Sequence, residues 1–405
     1  MRHRVRVHDE DRARHHGLTS RGIYPPVLLP GETQHTTICS SRKSGTGAKA
    51  GGYVPRPGHQ RPSSPMGEAG DRIMVDQDVF DSQPKADRFP LPRNMRAVQA
   101  GAFGGIEQLH LSSISVPTPR KGEVLVRVRA AGVGPWDALI REGRSGLALT
   151  LPVTLGADLS GVVVEVGDGV EGLEPGDAVF GVTNDRFVGA YAEFALADAS
   201  RLARKPIGFG FTEAGGMPVV AVTARSMLFE YGRLQSGQRI LVHGAAGAVG
   251  NLVVQLAHGA SAEVIATCRA RDIAFVTKMG ADEVIDFEAT DFVLGIKPVN
   301  LVIDTVGGET QRRSFDVIAP GGRLVSVVSA PDGALAAKAH VQAHYFIVDV
   351  RRPALNQLGA LLADGTLKAN IGEVLPLAEA PLAHEMLAGR PHRRGKIVLE
   401  IESRL

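Results

Sequence analysis

The chain has very little cysteine, with Cys39 and Cys268 as its two thiols in 405 residues. Two thiols exclude a disulfide framework and a four-cysteine zinc site. The formal charge of +2 gives no argument for nucleic-acid binding, which needs a clustered basic face. No apolar run approaches the ~18 residues of a membrane helix. These absences predict a soluble, cytoplasmic protein that binds neither nucleic acid nor a membrane surface.

Aromatic residues are also scarce, at 5% of the chain, whereas glycine occurs 48 times. This composition is typical of chains rich in turns and tight packing, as open parallel-sheet proteins often are. A single core usually accounts for roughly 100–200 residues, so a chain of this length is expected to form at least two domains. The apolar fraction of 44% is sufficient to fill such cores.

The first 94 residues lack a sustained hydrophobic period and are crowded with Arg, His, Pro, Ser and Gly, as in VPRPGHQRPSSPMGEAGDR. We predict a disordered amino-terminal extension over residues 1–94. A targeting peptide is the less favoured interpretation, because the opening MRHRVRVHDEDRARHH contains an acidic stretch and no long apolar segment. A further hypothesis is that the working protein starts near Met74 or Met95.

The pattern changes after Met95. EVLVRVRAAGV and LSGVVVEVGDGV alternate β-branched with polar residues and break at Gly or Pro, which predicts short strands of a mixed or barrel-like β domain. Beyond Lys205, apolar stretches such as RILVHGA, EVIATC and NLVIDTV alternate with helical patterns, which predicts a parallel sheet covered by helices on both faces. The helix RPALNQLGALLADGTL and the strand GKIVLEI then predict a return to the first domain.

A glycine-rich turn joins the predicted strand and helix of RILVHGAAGAVGNLVVQLA. Gly247 and Gly250 occupy the second and third glycine positions of a dinucleotide-binding turn, and Ala245 stands at the first. In such a turn the glycines keep Cβ atoms away from a pyrophosphate, and the following helix directs its amide groups at the anion. A tight turn without a ligand is the alternative, but the position between a buried strand and a helix favours a nucleotide.

The end of the next strand distinguishes NAD from NADP, because an acid there binds the ribose 2′-hydroxyl and a cation accepts the 2′-phosphate. The sequence reads EVIATCRARD, so Arg269 and Arg271 follow the strand and no acid closes it. This favours NADP(H). The alternative is that both arginines are ordinary solvated charges. Asp272 is interpreted as the N-cap of the next helix.

From about Met95 to Ile401 the chain resembles the medium-chain dehydrogenase/reductase superfamily, and in particular its zinc-free quinone oxidoreductase (zeta-crystallin-like) branch. The resemblance rests on ordered motifs, which are AAGVGPWDALIREG, LGADLSGVVVEVGDGV, GDAVFG, GAYAEF, HGAAGAVG, MGADEVIDF, DTVGG and GKIVLEI. It implies an α/β architecture with a GroES-like, β-rich catalytic domain and a doubly wound Rossmann domain. The expected boundaries are 95–215 for the first part of the catalytic domain, 216–345 for the Rossmann domain and 346–405 for the return.

The resemblance also implies which residues contact the cofactor and that no metal is bound. Zinc-dependent relatives have a histidine where this chain has Ala157, and zinc-free relatives often have an asparagine where it has Gly134. A homodimer is implied by the resemblance alone. The implied contacts lie on the glycine turn, at Gly244, Ala245, Gly247, Ala248, Val249 and Gly250, and along the nicotinamide side, at Thr223, Val306, Gly307 and a strand around Phe346 and Val348.

Without a metal, the simplest reaction is hydride transfer from NADPH to a quinone or an α,β-unsaturated carbonyl. Asp137 and Tyr191 are candidate catalytic groups, although Asp137 has a structural alternative in pairing with Arg141, and Tyr191 in packing as a strand residue. His243 is interpreted as a core histidine. Two other functions remain open, namely a reductase of a bulky enoyl intermediate and a non-catalytic NADPH-binding or sensor protein.

Overall fold

A computed structural model describes residues 91–402. The predicted disorder of residues 1–90 therefore lies outside the described residues. Asn94 is the first residue of strand β1 and pairs with Ser115, so the expected extension ends before residue 94. The strands in chain order are β1 (Asn94–Ala100), β2 (Leu109–Ser115), β3 (Glu123–Val133), β4 (Val153–Thr154), β5 (Asp158–Val166), β6 (Ala178–Val182), β7 (Phe194–Asp198), β8 (Leu202–Arg204), β9 (Arg239–His243), β10 (Glu263–Cys268), β11 (Glu283–Asp286), β12 (Val299–Asp304), β13 (Ile318–Ser326), β14 (Gln342–Tyr345), β15 (Ile371–Pro376) and β16 (Lys396–Glu400).

The helices cover the parallel sheet and fill the junction between the sheets. A π-helical segment, Ser226–Tyr231, continues directly from the third of them. The α-helices in chain order are α1 (Pro135–Arg141), α2 (Phe211–Gly216), α3 (Pro218–Arg225), α4 (Gly250–Gly259), α5 (Ile273–Lys278), α6 (Phe292–Gly295), α7 (Gly308–Ser314), α8 (Gly333–Ala339), α9 (Arg352–Ala363) and α10 (Ala380–Leu387).

One sheet is entirely parallel, with the strand order β11-β10-β9-β12-β13-β14. Numbered from β9, this is the 3-2-1-4-5-6 order of a doubly wound dinucleotide-binding fold. Successive strands are added on one side of β9 up to β11 and on its other side from β12 onward, and a crevice forms outside the carboxyl ends of the strands at such a switch point. Both strands end there in glycine-containing turns, after His243 and after Asp304.

The sequence pattern explains why this sheet is buried on both faces. Ile240, Leu241 and Val242 of β9 are fully buried, and β12 is buried from Leu301 to Asp304. A strand covered on both faces needs an unbroken apolar run rather than alternation. Helix α9 presents Leu355, Leu358 and Leu362 to the same apolar cluster as α4.

The second large sheet is mostly antiparallel and runs β15-β16-β3-β5-β6-β8, with β7 paired to β3. Strand β16, the last of the described chain, lies beside β3 with Ile397 opposite Val133. A smaller sheet has the order β2-β1-β4. The chain therefore forms a GroES-like β-rich domain and a Rossmann-type domain, as the sequence predicted. The boundaries 95–215, 216–345 and 346–405 stay predictions.

Two expectations about local structure are wrong. Phe346 and Val348 do not lie on a strand, because β14 ends at Tyr345, where its partner β13 also ends, at Ser326. Tyr191 is fully buried as expected, but it lies in a bend that precedes β7. Within residues 91–402, no helix combines the length and the apolar character needed to cross a membrane.

Candidate functional site

A cavity of about 400 Å³ lies where the carboxyl ends of the parallel strands face the β-rich domain. The first turn of α1, β5, α3 and β16 form one part of its wall, and the glycine turn and the segment after β14 form the other. Several predicted site residues line it together, namely Asp137, Thr223, Gly247, Ala248, Val249, Phe346 and Val348. The lining does not include Tyr191, Gly244, Ala245, Gly250, Arg269, Arg271, Val306 or Gly307.

The three glycines of the turn after β9 are required for different reasons. Gly244 has a φ of +71°, which side chains disfavour. A Cβ on Gly250 would lie 2.2 Å from the carbonyl oxygen of Gly244, so the turn itself excludes a side chain there. A Cβ on Gly247 would meet one atom within 4 Å, that same oxygen at 3.1 Å. Gly247 also lines the cavity, so its missing side chain leaves space on the cavity side.

The turn presents the amino-terminal end of α4 to the cavity through Gly247, Ala248 and Val249. The first amide groups of a helix lack the usual intrahelical acceptor, and here those of Asn251 and Leu252 donate to the carbonyls of Gly247 and Val249. The helix dipole makes this end positive. Asn251 holds the turn by donating from its side chain to the carbonyls of Gly247 and Ala248, at 2.7 and 3.0 Å. This arrangement fits the pyrophosphate of a dinucleotide.

The turn after β12 is held by Asp304, a fully buried carboxylate. It accepts hydrogen bonds from the amides of Val306 and Gly307, at 2.9 and 2.8 Å. The side chains of Gln311 and Ser326 donate to its other oxygen. Beside this turn, Thr305 reaches the cavity wall and donates to the carbonyl of His243, which links the two turns.

The two predicted phosphate-binding arginines lie at the carboxyl end of β10, on the surface. Arg269 pairs with Glu288 at 3.2 Å, and its side chain is 52% exposed. Arg271 is 74% exposed. Asp272 stands at the N-cap position of α5 but makes no capping hydrogen bond, which contradicts that part of the prediction. Its carboxylate instead accepts from Arg394, which also donates to the Arg271 carbonyl and lies over the ring of Phe275.

Asp137 is a buried acid in the third position of α1. Its Oδ2 accepts hydrogen bonds from the Gly134 amide at 2.8 Å and from the Tyr191 hydroxyl at 3.0 Å. Within residues 91–402, its Oδ1 has no hydrogen-bond partner. Burial raises the pKa of Asp137 to about 7, although the Gly134 amide and the charge of Lys396 act in the opposite direction. Burial and the neighbouring Asp137 raise the pKa of Tyr191 well above its ordinary value.

Asp137 does not pair with Arg141, which was the structural alternative for this residue. Arg141 turns away from the cavity and contacts the Gly104 carbonyl, the His384 ring and Glu142. His243 is a fully buried core residue, bonded to Thr267 and Ser314, and burial lowers its pKa to about 4. The sequence interpretation of His243 therefore agrees with the structure.

Asp158, the first residue of β5, connects three segments around the cavity. One carboxylate oxygen accepts from the amide of Val219, in the first turn of α3, at 2.8 Å. The other lies 3.2 Å from Nζ of Lys396, the first residue of β16. Both charged side chains are buried and both line the cavity. Burial raises the pKa of Asp158, and Lys396 opposes that change.

Sequence reasoning missed several residues of this wall. Trp136 and Phe187 form an edge-to-face pair with ring centres 6.1 Å apart. Lys396 lies in the motif GKIVLEI, but the sequence did not predict its contact with Asp158. That contact depends on the pairing of β16 with β3. The signal available in the sequence was a lysine at the start of an otherwise apolar strand.

The wall does not fit a catalytic zinc ion. Ala157, at the position where the resemblance implies a histidine in zinc-dependent relatives, lines the cavity and offers no ligand. Among the described residues, no group of three or more His, Cys, Asp or Glu side chains is arranged to hold a metal. Three protein ligands are the usual minimum for such a site.

Two family models match parts of this chain. Residues 120–207 match the alcohol dehydrogenase GroES-like domain, and residues 279–399 match the domain described as zinc-binding dehydrogenase. The quinone oxidoreductase of Rattus norvegicus is 30% identical over 322 residues, which cover 75% of this chain and 97% of the rat protein. The chain belongs to the medium-chain dehydrogenase/reductase superfamily, among relatives of the quinone oxidoreductase (zeta-crystallin-like) type. It is thus an oxidoreductase with a nicotinamide cofactor and a small-molecule substrate.

Solved structures agree with this assignment. The quinone oxidoreductase of Coxiella burnetii is 32% identical, with a TM-score of 0.71, and the match covers 76% of this chain and all of that one. The Escherichia coli quinone oxidoreductase, solved in complex with NADPH, is 27% identical with a TM-score of 0.70, over 75% of this chain and 99% of that one.

Proposed function

We propose that this protein is an NADPH-dependent reductase that transfers hydride to a quinone or an α,β-unsaturated carbonyl without a metal ion. The observation that carries the proposal is the position of the cavity. It joins the glycine turn at the strand switch point to an apolar wall with Trp136 and Phe187. One end therefore suits a nucleotide and the other a flat, poorly charged acceptor.

The cofactor would lie along residues of both turns. Gly244, Ala245, Gly247, Ala248, Val249 and Gly250 would hold the pyrophosphate, and Thr223, Val306, Gly307, Phe346 and Val348 would lie along the nicotinamide. Among these, Thr223 is fixed by donating to the Val219 carbonyl at 2.7 Å. The bound nicotinamide supplies the hydride chemistry, and the protein aligns the acceptor and excludes water. No step of this scheme uses zinc, since the described residues of the cavity wall offer no ligand set for it.

A preference for NADPH over NADH rests on Arg269 and Arg271. Both are exposed at the strand end where the ribose of a dinucleotide lies. Glu288 is the partner that Arg269 would exchange for a phosphate. A charge-assisted hydrogen bond to phosphate contributes roughly 1.5–3 kcal/mol, which corresponds to about 10–100-fold in affinity.

Titration of the purified chain with NADPH and NADH, followed by fluorescence, tests the cofactor proposal. We expect NADPH to bind more tightly, and Arg269→Asp to remove or reverse the preference. Arg312→Asp is a matched control, because Arg312 is equally exposed on α7 and pairs with Glu309 in the same helix. Equal affinities of the unmodified protein for both nucleotides, or an unchanged ratio in Arg269→Asp, contradict the assignment.

Turnover separates the preferred function from the alternatives. NADPH oxidation is measured with a 1,4-benzoquinone and with simple and bulky enones, before and after dialysis against a chelator. The proposal expects turnover of small quinones or enones that survives metal removal. Turnover of bulky enones alone favours the enoyl-intermediate reductase, and NADPH binding without turnover favours a sensor. Activity restored by stoichiometric zinc refutes the metal-free reaction.

The oligomeric state and the compartment are also proposals. We infer a homodimer from the family resemblance, and light scattering at several concentrations tests it. A cytoplasmic location rests on composition alone, and fractionation of cells that express the full chain tests that inference.

A further inference from the structure

Lys396 places a buried cation in the wall of the cavity. It is the first residue of β16, 7% exposed, and it lines the cavity together with Asp137 and Asp158. Its Nζ lies 3.2 Å from Asp158. An ammonium group carries three donors, so this ion pair leaves donor capacity for a further acceptor. A buried charge is costly unless it is paired and hydrogen-bonded, and Asp158 supplies one such partner.

The space beside this ammonium belongs to the cavity. Gly134, the N-cap of α1, is the residue that faces it. A Cβ built on Gly134 would lie 3.3 Å from the Lys396 Nζ and would have no other atom within 4 Å. Any larger side chain at position 134 would therefore lie against the ammonium and cover it. The absence of a side chain at Gly134 leaves the ammonium of Lys396 open to a ligand.

The charges around Lys396 permit an anionic ligand. Asp158 accepts hydrogen bonds from two donors, the charged ammonium of Lys396 and the neutral amide of Val219. Asp137 is the other acid of the wall, and its burial favours the neutral form up to about pH 7. The Tyr191 hydroxyl and the Gly134 amide donate to Asp137 and not to the cavity. The pair of Lys396 and Asp158 has no net formal charge, so a ligand oxygen would share the ammonium with Asp158 through the donors that the ion pair leaves available.

We propose that Lys396 is a catalytic residue that binds the carbonyl oxygen of the substrate and stabilises the negative charge that develops on it. This proposal rests on the proposed reductase function. The hydride would leave a C–H bond of the reduced nicotinamide with both bonding electrons and form a C–H bond at the electrophilic carbon, while the π electron pair moves onto the carbonyl oxygen. The resulting enolate accepts a hydrogen bond from Nζ, and water then supplies the proton. A quinone reduced in this way then tautomerises to the hydroquinone. Lys396 acts in this step as a preorganised hydrogen-bond donor to the developing oxyanion.

A binding experiment without cofactor or turnover tests the assignment. 4-Nitrophenol is titrated into the full-length protein, and the absorbance of the bound phenolate is followed against pH. We expect the protein to bind the phenolate at least tenfold more tightly than the phenol. Lys396→Arg should retain part of this preference because it keeps the charge. Lys121→Met is the control, since Lys121 is exposed in the turn before β3.

Two variants separate ligand binding from a purely structural ion pair. Lys396→Met alone leaves Asp158 buried without its cation, so the double variant Lys396→Met/Asp158→Asn removes both charges. We expect the phenolate preference to disappear in the double variant and to persist in Asp158→Asn, which keeps the ammonium. If the phenolate preference is lost equally in Asp158→Asn and in the double variant, the ion pair only supports the fold. A wild-type protein that binds phenol and phenolate equally, or binds neither, also overturns the proposal.

Kinetics add a second readout. In the double variant we expect kcat to fall about 10²-fold, as when one oxyanion donor is removed, while the dissociation constant of NADPH stays unchanged. A double variant with wild-type kcat refutes the catalytic role. If the wild-type protein reduces no quinone or enone, but its phenolate preference depends on Lys396, the reductase function fails and the anion site stands.

Discussion

Replacing Gly247 and Gly250 separately by alanine decides whether the turn after β9 is shaped by packing or by a ligand. At Gly250 the new Cβ would lie 2.2 Å from the Gly244 carbonyl oxygen and 2.8 Å from the Ala245 Cα, and both are backbone atoms. The turn would have to open by about 1 Å, a distortion of the kind that costs roughly 1–3 kcal/mol. We expect Gly250→Ala to lower Tm by several degrees and to weaken nucleotide binding with it.

At Gly247 the same change should leave the fold intact. The new Cβ would have one close neighbour, the Gly244 oxygen at 3.1 Å, and the φ of Gly247 is not in the left-handed region. The cost of that contact is offset by the lower entropy of the unfolded chain when alanine replaces glycine. We expect Tm to change little. NADPH affinity should fall at least tenfold, about 1.4 kcal/mol, because the methyl group occupies the space proposed for the phosphates.

Thermal unfolding without nucleotide and NADPH titration by calorimetry check both variants. Gly259→Ala is the matched control, because Gly259 ends the same helix, α4, and its Cβ would have no atom within 4 Å. If Gly247→Ala binds NADPH as tightly as the wild type, the space beside Gly247 does not hold the pyrophosphate. If both variants lose stability equally, packing alone explains the turn.

Two further predictions concern buried carboxylates. Burial raises the pKa of Asp137 from 3.8 to about 7, so between these pH values the folded protein holds a proton that the unfolded chain has lost. The stability of the protein relative to Asp137→Asn should therefore fall by roughly 4 kcal/mol as pH rises from about 4 to about 7. Denaturant unfolding across this pH range checks it, and parallel curves for the two proteins would contradict it. Asp304→Ala removes the acceptor of the Val306 and Gly307 amides and should cost about 3–5 kcal/mol. Chemical denaturation measures that loss, and a loss below 1 kcal/mol would show that Asp304 does not hold the turn.

The elements that the sequence predicted well are those whose hydrophobic pattern is complete within one segment. EVLVRVRAAGV coincides with β3, and EVIATC coincides with β10. The interval from RILVHGA to GGRLVSVV predicted successive βα units because each strand is an unbroken apolar run, and such runs fit a sheet covered on both faces. The glycine turn followed from its position between two of these elements.

Elements whose limits depend on a neighbouring strand could not be predicted. In the run VQAHYFIVDV, apolar and aromatic residues continue past Tyr345 as far as Val348, and nothing there indicates that β14 ends at Tyr345. The end is set by β13, whose last paired residue is Ser326. For the same reason the expected strand around Phe346 and Val348 is an extended segment of the cavity wall instead.

The charged contacts of the site could not be predicted either, because each joins segments far apart in sequence. Asp272 has the residue type and position of a helix N-cap, yet Arg394 competes for its carboxylate with a charged donor. A local capping rule contains no information about Arg394. Lys396 and Asp158 meet in the same way, through the return of β16 to the sheet of β3 and β5.

The segment Arg394–Lys396 connects the two ends of the site. Arg394 reaches the cofactor domain at Asp272, and Lys396 reaches the cavity at Asp158. Gly395 between them has a φ of +132°, and a Cβ there would lie 2.4 Å from the backbone nitrogen of Gly372. Because the backbone of β15 leaves no room for a side chain at position 395, the glycine allows Arg394 and Lys396 to reach their separate partners on the two sides of the site.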